Sequence, residues 1–81
     1  AQVAKQHTDN YSSLTPRERQ VLRAVAQGRL NKQIAYDLGI SIVTVKLHRS
    51  SVMRKMQAKS VGELIRAWEA IPADIRANAS T

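Results

Sequence analysis

Residues 31–56 read NKQIAYDLGISIVTVKLHRSSVMRKM, and their spacing is that of a helix-turn-helix. Two helices that cross steeply over a short turn need a small residue at the crossing, a permissive backbone in the turn and an apolar anchor on the second helix. Ala35, Gly39 and Val45 fall at these three places. The core shared by the two helices is predicted to contain Ile34, Leu38, Ile40 and Val52.

The helix that precedes this unit has clear start and stop signals. Thr15 and Glu18 have the spacing of a capping box, in which each side chain accepts the backbone N–H of the other residue. Pro16 suits the first helical position, where its missing N–H costs nothing, and Gly28 suits the C-terminal stop. Residues 1–13 are polar and lack a sustained periodicity, so we predict a linker or flexible arm there.

Local signals also bound the two helices of the central unit. Asn31 is a favourable N-cap for the second predicted helix, which ends at Leu38 before the turn. Ser41 is the predicted cap of the third helix, which runs to about residue 57.

A fourth helix is predicted to start at a second capping box, formed by Ser60 and Glu63, and to be stopped or kinked by Pro72. Its apolar positions are Val61, Leu64, Ile65, Trp68 and Ile71. We therefore predict an all-α fold, a four-helix domain with a central helix-turn-helix over residues 14–71, followed by a C-terminal tail over residues 72–81.

Length and charge restrict the function. The chain has 81 residues, enough for one small domain with a modest core and little room for a buried active site. Thirteen Lys and Arg against six Asp and Glu give a net charge of +7. Seven of the basic residues lie between Arg29 and Lys59, where Asp37 is the only acid. This concentration is typical of a protein that binds a polyanion.

Several other classes of function are disfavoured by composition. Cysteine is absent, which excludes disulfides, thiol catalysis and cysteine-ligated zinc. His7 and His48 are far apart without a partner at metal-ligand spacing, and no nucleophile, acid pair or phosphate loop can be assembled. We therefore expect no enzyme activity, metal or cofactor. No segment has the apolar run of a membrane span or signal peptide, so a cytoplasmic protein is expected.

The third helix is predicted to have one core side and one exposed side. Winding it at 100° per residue puts Val45, Val52 and Met56 toward the core, with His48 and Arg49 at the two rims. The opposite side is an arc of about 100° that mixes cations, a hydroxyl and bare aliphatic groups, as suits a DNA major groove. Its members are Val43, Lys46, Leu47, Ser50 and Arg54. The candidate base contacts are Val43, Lys46, Leu47 and Ser50.

Phosphate contacts are expected around this arc. The start of the second helix offers free backbone amides and a positive dipole end beside Asn31, Lys32 and Gln33. Thr44 can add a hydroxyl, and Arg54 a charge farther along the groove.

The two rim residues of the third helix have open roles. Arg49 is predicted either to pair with an acid such as Glu63 or Glu18, or to contact DNA. His48 is predicted to be a packed or hydrogen-bonded side chain, with a phosphate contact as its alternative.

The stretch LTPRERQVLRAVAQGRLNKQIAYDLGIS, followed by TVKLHRSSVMRKM, resembles the LuxR/FixJ-type DNA-binding domain of bacterial transcription regulators. The resemblance covers residues 14–71, and VMRKMQAKS favours the FixJ-like response regulators. It implies a four-helix domain that follows a phosphorylatable receiver domain. This four-helix domain would dimerise through its last helix and recognise an inverted repeat. Lys46 and Leu47 match positions that face bases in the family, and Asn31, Lys32 and Thr44 match positions that face the backbone. Ser50 departs from the basic residue often found at its position.

We therefore predict sequence-specific binding of double-stranded DNA by the effector domain of a two-component response regulator, with RNA polymerase as a further candidate partner. One alternative is region 4 of a sigma factor, which shares an LTPRE-like opening and a TVK helix but not the capped fourth helix. Another is a helical protein-interaction module whose basic face meets an acidic partner.

Overall fold

The computed structural model describes residues 2–77, with side chains from residue 5 onward, and this part of the chain consists of helices joined by short turns, without strands. The prediction of an all-α fold is confirmed, and the four predicted helices correspond to α2–α5 below. Two further helices flank them. The helices are α1 (Gln2–Ser12), α2 (Pro16–Ala26), α3 (Asn31–Leu38), α4 (Ile42–Lys55), α5 (Val61–Ala70) and α6 (Ala73–Ala77).

The termini of α2 follow the local rules. The Glu18 N–H donates to Thr15 Oγ1 over 3.1 Å, and the Thr15 N–H donates to Glu18 Oε1 over 2.9 Å, so the capping box is confirmed. At the other end Gly28 has φ +84°. Its N–H donates to the Val25 carbonyl over 2.9 Å and satisfies one of the last free acceptors of the helix. Gly28 therefore supplies the predicted stop.

The start of α3 differs from the prediction. Leu30 is the N-cap and Asn31 the first helical residue, so the assignment of Asn31 as the cap is wrong by one position. The reason is Gln33, whose Oε1 accepts the Leu30 N–H over 2.9 Å. This hydrogen bond fixes the start of α3 at Leu30. The Asn31 side chain contacts Arg49 instead, as described below.

The turn of the helix-turn-helix is confirmed. Gly39 has φ +67°, a left-handed conformation that suits glycine. The Ile40 N–H donates to the Ala35 carbonyl over 3.0 Å and closes the end of α3. Ser41 then caps α4, because its Oγ accepts the Thr44 N–H over 3.0 Å. The two helices are thus joined by a three-residue turn with satisfied ends.

One apolar core is shared by α1, α2, α3, α4 and α5. Its α3 and α4 members include the predicted Ile34, Val45 and Val52, at most 1% exposed. Leu38 and Ile40 pack against this core and are partly buried. Helix α2 packs on α4 and α5, and α3 packs on α4. The fully enclosed side chains of the core are Tyr11, Val21, Leu22, Ile34, Val45, Val52, Met56, Leu64 and Ile71.

Helix α5 keeps its predicted position but not all of its predicted contacts. Leu64, Trp68 and Ile71 are buried, whereas Val61 at the first turn is 42% exposed and therefore lies outside the core. Ile65 is half-buried.

The cap of α5 is only half of the predicted box. Ser60 Oγ accepts the Glu63 N–H over 3.1 Å, but the Glu63 carboxylate accepts the N–H of Lys59 and not that of Ser60. The helix ends before Pro72 because Ile71 is extended, with φ −78° and ψ 135°. In the predicted tail, residues 73–77 form α6, and residues 78–81 lie outside the described part.

The prediction of a flexible arm before residue 14 is wrong for residues 2–12, which form α1. Tyr11 is only 1% exposed, and its ring meets that of Trp68 edge to face with centroids 6.0 Å apart. The Arg19 guanidinium lies 5.1 Å from the centre of the same tyrosine ring. The aromatic contact of Tyr11 with Trp68 therefore attaches α1 to α5.

Candidate nucleic-acid interface

The exposed side of α4 carries the predicted arc. Val43 and Leu47 are 66% and 64% exposed, and Lys46, Ser50 and Arg54 are exposed as well. Full burial of such an aliphatic side chain would contribute about 1.5–3 kcal/mol of stability, and most of this contribution is absent when the side chain is exposed. The arc thus combines an apolar ridge with hydrogen-bonding groups, as the sequence predicts for a surface that meets base edges.

The predicted phosphate contacts lie on two elements beside this arc. On α3, Lys32 and Gln33 are exposed in the first turn, and Asn31 is half-buried. Gln33 Oε1 is occupied by the Leu30 N–H, so only its amino group is free to donate outward. On α4, Thr44 is half-buried and its hydroxyl lies 2.9 Å from Ser41 Oγ.

Arg49 does not pair with either of the predicted acids. Its Nη1 donates to Asn31 Oδ1 over 2.5 Å and so joins α4 to the first turn of α3. The Glu63 carboxylate accepts the Lys59 N–H instead. The prediction of an acid partner for Arg49 is therefore wrong. The position of Arg49 on the helical wheel predicts the side of α4 on which it lies, but it does not predict which residue of another helix packs against that side.

Glu18 has a different partner. Its Oε1 accepts from Lys55 Nζ over 2.8 Å, and this ion pair ties the start of α2 to the end of α4. Burial raises the pKa of the Glu18 carboxyl, but hydrogen bonds from Lys55 and Thr15 and the charge of Lys55 together lower it further than burial raises it. The net result is a pKa below the ordinary value, so Glu18 is a carboxylate at neutral pH.

The acid inside the basic segment is also paired. Asp37 Oδ2 accepts from Arg29 Nη1, on the flank of α3 away from Lys32. By contrast Lys32, Lys46 and Arg54 have no carboxylate partner among the described residues. The positive charge of the candidate interface is therefore uncompensated where it faces solvent.

Exposed apolar side chains on or next to α3 and α4 that were not predicted include Leu30, Tyr36 and Ile42; Leu30, the N-cap of α3, is 68% exposed. Ile42, the first residue of α4, is 41% exposed, and Tyr36 on α3 is 87% exposed. The four-residue spacing from Lys32 to Tyr36 puts both on the same side of α3 and is the signal that could have identified Tyr36. His48 is half-buried, as predicted for a rim residue.

Residues 2–77 contain no group of three or more His, Cys, Asp or Glu side chains that could hold a metal ion. Nor does any helix in this range have the length and apolarity needed to cross a membrane.

The family model described as bacterial regulatory proteins, luxR family, matches residues 12–68. The chain belongs to this family. The match spans α2–α4 and most of α5. It confirms the predicted resemblance and, with the relatives below, the prediction of a DNA-binding domain of a transcription regulator. No finding favours the sigma-factor or the interaction-module alternative.

Similar proteins are named as response regulators or as transcriptional regulatory proteins. The response regulator protein TodT of Pseudomonas putida is 52% identical over 61 residues, which cover 75% of this chain and 27% of TodT. The transcriptional regulatory protein FixJ of Rhizobium meliloti is 59% identical over 54 residues, 67% of this chain and 26% of FixJ. A crystal structure of full-length FixJ from B. japonicum superposes with a TM-score of 0.77 at 43% identity, over 84% of this chain and 34% of that one. The chain thus spans between a quarter and about a third of these relatives.

Proposed function

We propose that this chain is the effector domain of a two-component response regulator and that it reads a specific site in double-stranded DNA with α4 in the major groove. The main support for the proposal is the exposed arc of α4. In this arc, two aliphatic side chains that are more than 60% exposed, Val43 and Leu47, lie beside hydrogen-bond donors that have no partner among the described residues. A surface kept only for solubility would not expose Val43 and Leu47 beside Lys46. The similarity to TodT and FixJ supports the same assignment.

The reading groups divide by chemistry. Lys46 donates to guanine O6 or N7, while Val43 and Leu47 contact the methyl groups of thymine. Ser50 donates or accepts, according to the base that it meets. These contacts carry the sequence specificity.

The remaining groups hold the phosphate backbone on both sides of the reading helix. Lys32 and Arg54 supply charge, Asn31 and Gln33 supply amide donors, and Thr44 supplies a hydroxyl. These contacts fix orientation and add affinity that depends on salt but not on sequence. His48, which is half-buried on the rim of α4, is assigned to packing rather than to DNA.

We also propose the partners of the whole protein. Because the chain spans 27% of TodT, the whole protein has room for a receiver domain, which we place before α1. We propose that two copies bind an inverted repeat and meet through the exposed side of α5, where Val61, Gly62, Arg66 and Glu69 lie. RNA polymerase is the candidate partner at the promoter, and the cytoplasm is the proposed location, since the DNA is there.

Selection of bound duplexes from a random pool tests the proposal and reports specificity, symmetry and half-site spacing together. With the selected site, Lys46→Ala should lower affinity by about 1–3 kcal/mol and relax the preference at one base pair. Lys32→Ala is the matched control, which should weaken all duplexes alike and reduce the salt slope by about one. Equal behaviour of the two variants against mismatched sites would refute the assignment of the reading face.

A further inference from the structure

The first turn of α3 and the middle of α4 are joined by one side-chain hydrogen bond among the described residues, from Arg49 Nη1 to Asn31 Oδ1, at 2.5 Å. Both side chains are half-buried, so water screens this contact less than it would at the exposed surface. No carboxylate lies within ion-pair distance of Arg49 in residues 2–77. Asn31 is therefore held by a full positive charge that has no acidic partner.

The chemistry of the two groups determines which end of the amide faces Arg49. A guanidinium carries five N–H donors and no acceptor, and an asparagine amide carries an acceptor oxygen at one end and two donors at the other. Only the oxygen can meet the guanidinium. The amino group of Asn31 must then point away from Arg49, and the amide can no longer exchange its two ends.

We propose that Arg49 is a positioning residue that fixes the Asn31 amide so that its amino group donates to a backbone phosphate of DNA. The inference rests on the proposed function, in which Asn31 is a phosphate contact. Without Arg49, the Asn31 side chain is free to rotate and to turn its oxygen outward, where it repels a phosphate. In this proposal Arg49 acts through Asn31, to which its Nη1 donates, and is not itself a DNA contact.

Asn31→Asp separates the structural part of the contact from the binding part. The aspartate keeps an oxygen for Arg49, gains a charge that pairs with it, and lies in the first turn of α3, where a negative charge is favourable. The folded domain should be as stable as the original or more so. The donor is lost, however, and the new charge faces the phosphate, so affinity should fall by more than tenfold for every duplex.

The experiment measures melting temperature and affinity for a mixed-sequence duplex at two salt concentrations. The variants are Asn31→Asp, Asn31→Ala, Arg49→Met and the double variant Asn31→Ala/Arg49→Met. Arg23→Met is the matched control, since Arg23 is also a half-buried arginine, but lies on α2 outside the candidate interface. Asn31→Ala should weaken binding about tenfold, as expected when a hydrogen bond to a charged group is lost. Arg49→Met should weaken it by more than Arg23→Met does.

The decisive comparison is the double variant. If Arg49 acts through Asn31, then Arg49→Met in the Asn31→Ala background lowers affinity by no more than the Arg23→Met control. An equal loss in both backgrounds would make Arg49 a direct DNA contact and overturn the proposal. Unchanged affinity of the Asn31→Asp variant would also overturn the proposal. So would a loss of affinity in Asn31→Asp with no loss in Asn31→Ala, because the effect would then come from the new charge and not from the missing donor. A wild-type chain that binds no duplex would instead contradict the proposed function.

Discussion

The ion pair between Lys55 and Glu18 should contribute measurably to stability, and Lys55→Met tests it. The Glu18 side chain is 8% exposed and that of Lys55 is 29% exposed, with Nζ 2.8 Å from Oε1. Methionine preserves most of the apolar stem that lysine packs against its neighbours. The substitution therefore removes mainly the charge and its hydrogen bond, and leaves a buried carboxylate without its cation.

The expected loss is about 1–2 kcal/mol. Breaking a fully buried pair by removing one partner costs about 3–5 kcal/mol, while exposed pairs contribute about 0–1 kcal/mol. Water reaches Lys55, so this pair lies between the two limits. In a domain of this size, such a loss lowers the melting temperature by roughly 5–15 °C.

The effect should depend on pH with a definite sign. The pKa of folded Glu18 lies below its ordinary value, which is about 4.3 in an unfolded chain. The stabilisation is therefore complete above about pH 4.3 and is lost as the pH falls through the lowered pKa. Lys55→Met removes two of the causes that lower this pKa, so the pKa of Glu18 rises. The stability difference between the two proteins should shrink in acid.

Urea denaturation of both proteins at pH 7 and at about pH 3 measures this difference. Lys59→Met is the matched control, because Lys59 is exposed and its ammonium has no carboxylate partner among the described residues, so a change within about 0.5 kcal/mol is expected. A difference between wild type and Lys55→Met of the same size at both pH values would refute the reasoning, because the loss would then come from packing and not from charge.

Three further outcomes are expected. Gln57, two residues after the end of α4, has φ +56°, so Gln57→Gly should raise the free energy of unfolding by about 0.5–1 kcal/mol, measured by urea denaturation; an unchanged value would show that this left-handed conformation carries no strain. Gly39→Val should lower the melting temperature, because valine does not readily take φ +67°, and an unchanged value would contradict the turn. The chain should sediment as a monomer at micromolar concentration and as a pair on a two-half-site duplex, since adjacent sites raise the effective concentration; a tight dimer without DNA contradicts this.

The helix boundaries could be predicted wherever one residue type satisfies a local backbone requirement. Thr15 with Glu18, Gly28 and Ser41 each act within four residues of their own position. Their effect does not depend on the rest of the fold, so the sequence is sufficient. Leu30 shows the limit of this reasoning. Asn31 is the better cap by type, yet a glutamine three residues after Leu30 moved the start of α3 by one residue.

Contacts between elements could not be predicted in the same way. Helix α1 depends on Tyr11, which is buried against Trp68 more than fifty residues later in the chain. Residues 1–13 show no sustained apolar periodicity, so the sequence pattern does not distinguish a helix there from a linker. The partner of Arg49 depends likewise on the side from which α3 crosses α4, and helical periodicity contains no information about that crossing.

Charge shows how the two kinds of information combine in the candidate interface. The sequence has seven basic residues and one acid between Arg29 and Lys59. This count does not show where on the surface the positive electrostatic potential is strongest. In the structure, Asp37 neutralises Arg29 on the outer flank of α3, and Glu18, which lies outside that stretch, neutralises Lys55 at the end of α4. Both acids thus offset cations that lie outside the arc. Within residues 29–59, Lys32, Lys46 and Arg54 have no carboxylate partner among the described residues and lie on or beside the arc, which places positive potential on the side that we propose meets DNA.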